Sequence, residues 1–189
     1  MARLILASTS AARRTLLARV GLEFEAVSPG IDEPHGPSLA PADVARALAL
    51  AKARAVFGRH PDAIVIGADQ VVAFEGRCFS KAADLSEARE NLRRMSGKEH
   101  VLLSAVAVVD ASGETAFVEE ARLTLRTLSL DERERYLATG EWEGCAGGYR
   151  IEGRGLALLE RIDGEHTTIL GLPMPRLLTV LASRGVRIL

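Results

Sequence analysis

The segment LILASTSAARRTLL, residues 4 to 17, constrains the fold more than any other stretch of the chain. Leu4, Ile5 and Leu6 make an apolar run of strand length, and Ser8, Thr9 and Ser10 are residue types that accept hydrogen bonds at a helix start. A buried strand passing through a short polar turn into a helix is the opening of an α/β unit. The helix is expected from Ala11 to Val20, closed by Gly21. Its first turn leaves N–H groups unpaired and carries partial positive charge, to which Arg13 and Arg14 add two full charges. The segment is therefore either an anion site suited to phosphate or a strand-turn-helix unit with solvated arginines.

Further along, helical and strand patterns alternate. A short strand is expected at Phe24 to Val27, followed by the loop SPGIDEPHGPS with Asp32, Glu33 and His35. A second helix is expected from Pro41 to Phe57, ended by Gly58. The apolar run Ala63 to Ile66 reads as a buried strand that delivers Gly67, Ala68, Asp69 and Gln70 at its carboxyl end. Val71 to Phe74 then leads through Glu75 and Gly76 into Arg77 to Lys81, a hairpin pattern. DLSEARENLRRM carries helix spacing, with Asp84 and Glu87 as a capping box. Val101 to Val109 and Thr115 to Leu128 read as hairpin-joined strands, and Ser129 with Glu132 caps another helix. A glycine-rich loop spans 140 to 155, a strand follows at Ala157 to Ile162, and a last helix runs to Ser183. The expected architecture is α/β, a mixed central sheet flanked by helices, with residues 1–189 as a single domain. Ligand sites in such sheets lie beyond the carboxyl ends of strands, where Ser8 and Asp69 are expected.

Composition narrows the function classes. A formal net charge of -1 lacks the basic footprint of a protein that holds nucleic acid through its phosphates, so no nucleic-acid partner is expected. No apolar stretch approaches the length of a membrane span, and Cys78 and Cys145 have no zinc-ligand spacing. A reducing, cytoplasmic setting without a membrane partner is the expectation. The four histidines are expected on loops and at the surface.

Four side chains could carry chemistry. Asp69, preceded by two small residues, is either a rigid carboxylate for a hard cation or a proton, or a turn aspartate after a strand. Lys52 falls within an apolar helix stripe between Leu48 and Val56, so it either snorkels to an edge or points into a polar pocket. Lys81 could place an ammonium on a polyphosphate, and Glu33 could supply a second metal oxygen; the plain alternatives are a solvated lysine and an exposed acidic loop. Carboxylates that hold a divalent metal and orient water, with cations that neutralise phosphates, are what phosphoanhydride hydrolysis requires. The chain has no P-loop and no GxSxG elbow.

The ordered motifs LILASTS, IDE, ALAKA, GADQVV, SKAAD, SGKEH, CAGGYRIEG and GLPM resemble those of the Maf nucleoside triphosphate pyrophosphatases over nearly the whole chain. The resemblance implies a fold similar to the inosine triphosphate pyrophosphatases. It also implies cytoplasmic, divalent-metal-dependent (Mg or Mn) cleavage of a nucleoside triphosphate to monophosphate and pyrophosphate, and a homodimer. By motif position, Asp69 becomes the proton acceptor and Glu33 assists, both as metal ligands, while Ser8, Arg13, Arg14, Lys52 and Lys81 hold the phosphates. The family's usual SPRR reads Ser10, Ala11, Ala12, Arg13 here, and its GKP reads Ser80, Lys81, Ala82. At the positions that separate substrate classes this chain has Ala12, Gln70 and Glu152. The dTTP/UTP class has Arg, Thr and Gln there, and the 7-methyl-GTP class has Trp, Gln and Glu. The expectation is accordingly a guanine-type or modified nucleotide such as 7-methyl-GTP. The alternatives are broad or pyrimidine specificity, or a nucleotide-binding regulator of cell division with incidental catalysis.

Overall fold

The computed structural model describes residues 3–31, 39–79 and 81–188. Its elements run β1 (Arg3–Ala7), α1 (Ala11–Arg19), β2 (Glu25–Ala26), α2 (Pro41–Phe57), β3 (Ala63–Phe74), β4 (Arg77–Phe79), α3 (Leu85–Met95), β5 (Glu99–Asp110), β6 (Gly113–Leu125) and α4 (Leu130–Leu137). A 3-10 turn at Arg154–Leu158 follows, then β7 (Leu159–Asp163), α5 (His166–Ile169) and α6 (Met174–Ser183). The strands form one sheet of order β2-β1-β3-β5-β6-β7, with β4 paired to β3. β1 is parallel to β2 and β3, whereas β3 with β4 and β6 with β7 are antiparallel, so the sheet is mixed as expected.

The chain divides into two compact units. The first comprises Met1–Gln70, Leu103–Glu120 and Glu165–Leu189, the second Val71–Leu102 and Ala121–Gly164. β3, β5 and β6 each run through both. In the first unit, Leu4 and Leu6 of β1 and Ile64 and Ile66 of β3 pack with Leu16 and Leu17 of α1 and Leu177 and Leu181 of α6. Each fully buried leucine contributes about 1.5–3 kcal/mol against solvent exposure. In the second unit, Ala88, Leu92 and Met95 of α3 are buried, as the helix spacing requires, while Leu85 at its start is exposed.

Local sequence explains most helix limits. Ser10 stands in an extended conformation and accepts from Arg13 N, and Ser129 with Glu132 makes the full capping box of α4. At α3 the box is altered: Asp84 accepts from Glu87 N, but the Glu87 carboxylate accepts from Ala83 N instead of the cap residue itself.

Two expectations are corrected, and one helix is found where none was expected. Asp69 does not follow a strand, because β3 continues without a break from Ala63 to Phe74 and contains it. His100 is not a surface residue: it is 1% exposed on β5, with Nε2 hydrogen-bonded to Tyr149 Oη at 2.6 Å. Burial pulls its imidazole down to about 4. A short helix, α5, occupies a segment with no helical signal in sequence, its first turn held by Glu165, whose carboxylate accepts from Thr167 N and Thr168 N.

Candidate active site

β1 and β3 run in parallel register from Arg3 opposite Ala63 to Ala7 opposite Gly67, where β1 stops. β3 goes on, so Ala68, Asp69 and Gln70 line a strip whose neighbouring strand has ended. This is why Asp69, though inside a strand, still stands at a carboxyl edge of the sheet. Strand alternation sends Gly67 and Asp69 to one face and Ala68 and Gln70 to the other.

On the first face α2 comes unusually close. Ala45, Ala49 and Ala53, spaced one helical turn apart, are fully buried, and a Cβ added at Gly67 would lie 2.2 Å from Ala49 O and 2.7 Å from Ala53 N. Only hydrogen at Gly67 and methyl groups on the helix permit that approach. Its consequence is that Lys52, between Ala49 and Ala53, reaches Asp69: Nζ donates to Oδ1 at 2.5 Å. The two side chains are 12% and 9% exposed. Of the two readings of Lys52, the polar contact inside the fold is the one observed.

On the other face Arg13 from α1 lies across the same strip. Its Nη1 donates to Ala68 O at 2.8 Å and, at the long limit of 3.5 Å, to Ser8 Oγ; its Nε donates to Gly171 O at 2.9 Å. Ser8 is 6% exposed, and its Oγ also accepts from Ser10 N. The guanidinium is thus held by backbone carbonyls in a fixed orientation at the start of α1, where the helix dipole is positive. Gln70 is held just as firmly: Nε2 donates to Ser104 Oγ at 2.8 Å, Thr168 O at 3.1 Å and Ile169 O at 3.0 Å. Gly171, in a left-handed conformation, touches both groups, since a Cβ there would lie 3.4 Å from Arg13 Nε and 3.7 Å from Gln70 Cδ.

The first unit therefore brings together Ser8, Arg13, Lys52, Asp69 and Gln70, with Ala12 half-buried beside Arg13. Arg14 is exposed. Lys81 and Glu152 belong to the second unit, where both are exposed and Lys81 forms an isolated antiparallel bridge with Ala146 of the glycine-rich loop that also carries Glu152. That loop is anchored by buried Tyr149 on His100 and by Arg150 N, which donates to Tyr136 Oη at 2.9 Å. Burial pushes the Tyr136 hydroxyl up to about 12 and raises that of Tyr149 as well, so both remain protonated at neutral pH. Glu33, with Asp32 and His35, lies outside the described residues.

Reading residues in sequence misses Gly67, Ser104, Thr168 and Gly171. A signal for Ser104 existed, because His100, Leu102, Ser104 and Val106 alternate along a strand and all four prove buried. Nothing in sequence marks Gly67 as a contact point.

Among the described residues no group of three or more His, Cys, Asp or Glu could by itself hold a metal ion. One carboxylate beside cations still fits a magnesium-type site, in which one or two carboxylates share the cation with substrate phosphates. No helix among the described residues is long and apolar enough to cross a membrane.

A family model described as Maf-like protein matches residues 3–184. A dTTP/UTP pyrophosphatase of Pelotomaculum thermopropionicum is 41% identical over all of both chains. Another of the same name, from Deinococcus radiodurans, is 42% identical over 97% of this chain and 94% of its own, and the name recurs in further relatives. A 7-methyl-GTP pyrophosphatase of Aromatoleum aromaticum is 42% identical over 97% of this chain and 96% of its own.

Proposed function

Since this chain belongs to the family of Maf-like proteins, we propose that it is a nucleoside triphosphate pyrophosphatase that releases monophosphate and pyrophosphate, with dTTP and UTP as its substrate class. The observation that carries the reading is the Lys52–Asp69 pair on the strip where Arg13 is also pinned. A triphosphate needs cations along its tail and a carboxylate at the reacting phosphorus, and this strip offers both.

Water attacks the α-phosphorus, its proton passes to Asp69, and the α–β anhydride bond breaks with pyrophosphate leaving. Lys52 orients the Asp69 carboxylate and draws the phosphates toward it. Arg13, Ser8 and the first N–H groups of α1 receive phosphate oxygens, with Lys81 and Arg14 assigned to the same tail by motif position. A magnesium or manganese ion held by Asp69 and Glu33 would neutralise developing charge on the phosphates. Residues 1–189 act as one catalytic domain.

The pyrimidine reading replaces the guanine-type expectation because it is the name most of the similar proteins carry. A second reading, 7-methyl-GTP, is favoured by Gln70 and Glu152, the pair shared with that class by motif position, although Ala12 lacks the aromatic ring that would stack on a methylated base. A panel of dTTP, UTP, CTP, GTP, 7-methyl-GTP and ATP with magnesium or manganese, read by product chromatography, decides. Pyrophosphate and monophosphate from dTTP and UTP are expected; inorganic phosphate as the first product, or no turnover of any nucleotide, refutes the proposal.

A further inference from the structure

The glycine-rich loop of the second unit has one polar anchor sunk into the core. Tyr149 is 6% exposed and His100, on β5, is 1% exposed. Their Oη and Nε2 atoms are 2.6 Å apart, and the rings meet edge to face with centroids 5.5 Å apart. This is the only hydrogen bond that either side chain makes among the described residues, since His100 Nδ1 has no partner. Buried groups with a single bond between them have no water to replace it, so any movement of the loop leaves both unpaired. The bond therefore resists displacement of Tyr149. A second tie, from Arg150 N to Tyr136 Oη, holds the next residue.

From Tyr149 to Lys81 the path is short and runs through main chain. Gly148 N donates to Cys145 O at 3.1 Å, closing a tight turn in which Gly147 and Gly148 are buried and both take a left-handed φ of 76°. Ala146, the second residue of that turn, makes the antiparallel bridge with Lys81. Unlike Lys52 and Lys98, the exposed Lys81 has no ion pair among the described residues, so its main chain is what the fold holds in place. We infer that Tyr149, secured by His100, is a positioning residue for Lys81. Its hydroxyl fixes the turn, and the turn fixes the lysine that the pyrophosphatase reading, on which this rests, assigns to the triphosphate tail. A buried histidine and tyrosine thus act on phosphate binding without touching a phosphate.

The test measures kcat and KM for UTP, and inhibition by the products pyrophosphate and UMP, in the parent, Tyr149→Phe, Lys81→Ala and the double variant. Tyr149→Phe deletes one oxygen and, with the Tyr136 tie still in place, should raise KM for UTP and the inhibition constant of pyrophosphate by about three- to tenfold. Inhibition by UMP, which lacks the tail, should stay at the parental value. Lys81→Ala should move the same two constants at least as far, and adding Tyr149→Phe to it should move neither again. A hydroxyl that serves stability alone would lower Tm with all constants unchanged, weaken pyrophosphate and UMP alike, or keep its full effect without the lysine; each of these results overturns the inference. His100→Gln and His100→Leu cover the case in which Tyr149→Phe does not fold. Glutamine can replace Nε2 as the partner of Tyr149 and should keep the parental constants, whereas leucine should reproduce the Tyr149→Phe shifts; equal constants in the two overturn the inference. An active parent whose variants show no such shifts overturns this inference alone, whereas no release of pyrophosphate from any triphosphate overturns the pyrophosphatase reading with it.

Discussion

Replacing Gly67 by alanine places one methyl group where β3 and α2 come closest. The new Cβ would sit 2.2 Å from Ala49 O, 2.7 Å from Ala53 N and 2.9 Å from Ala53 Cβ. The first two of these atoms belong to the helix backbone, so no side chain can turn aside. The helix must retreat by about 1 Å to restore ordinary contact, and overpacking of this kind costs about 1–3 kcal/mol. For a chain of this size that lowers Tm by about 3–10 °C. The same retreat carries Lys52 away from Asp69, to which it now donates at 2.5 Å. A misplacement of about 1 Å in a reacting constellation costs up to about a hundredfold in rate. Calorimetry and a pyrophosphate-release assay on one preparation give both numbers. A Gly67→Ala protein that melts and turns over like the parent refutes the claim that small residues at this crossing place the lysine.

Lys52→Gln keeps a donor but removes the charge, and pyrophosphate release should fall by about a hundredfold with a much smaller relative loss of Tm. His100 binds a proton more readily unfolded, near 6.5, than folded, at about 4, because burial disfavours its charged form. Its contribution to stability is therefore complete above pH 6.5 and is lost as pH falls toward 4, by about 3 kcal/mol in total. Urea melts at pH 7 and pH 4.5 should show that loss, and it should shrink in His100→Gln. Ser129→Ala removes the hydroxyl that accepts from Glu132 N at the start of α4 and should cost about 1 kcal/mol in the same melts, without changing substrate preference.

Helix limits were legible where a local signal acts alone. Ser10, Ser129, Pro41 and Gly58 stand where the caps and ends of α1, α4 and α2 are found, because capping is settled within a few residues. Gly67 to Gln70 resembled a break because glycine, alanine and aspartate are poor strand formers, yet pairing with β1 before it and β4 after it keeps the strand running. Long-range pairing overrides propensity at that point. The candidate site was legible as residue types: Ser8, Arg13, Lys52 and Asp69 were singled out by patterns that phosphate chemistry explains. What supports each of them was not. Gly171, Ser104 and Thr168 act from 34 to 158 residues away from the groups they hold, and α5 is too short to carry a period. The burial of His100 was within reach of strand alternation, since it shares a face with Leu102 and Val106.

The central claim is that Asp69 takes the proton from the attacking water while the neighbouring cations hold the triphosphate. Asp69→Asn keeps the size of the side chain and an oxygen for Lys52 but cannot accept that proton. Pyrophosphate release from dTTP or UTP should drop by about a hundredfold or more, with nucleotide affinity within about threefold of the parent. An asparagine variant that hydrolyses as fast as the parent would contradict the account.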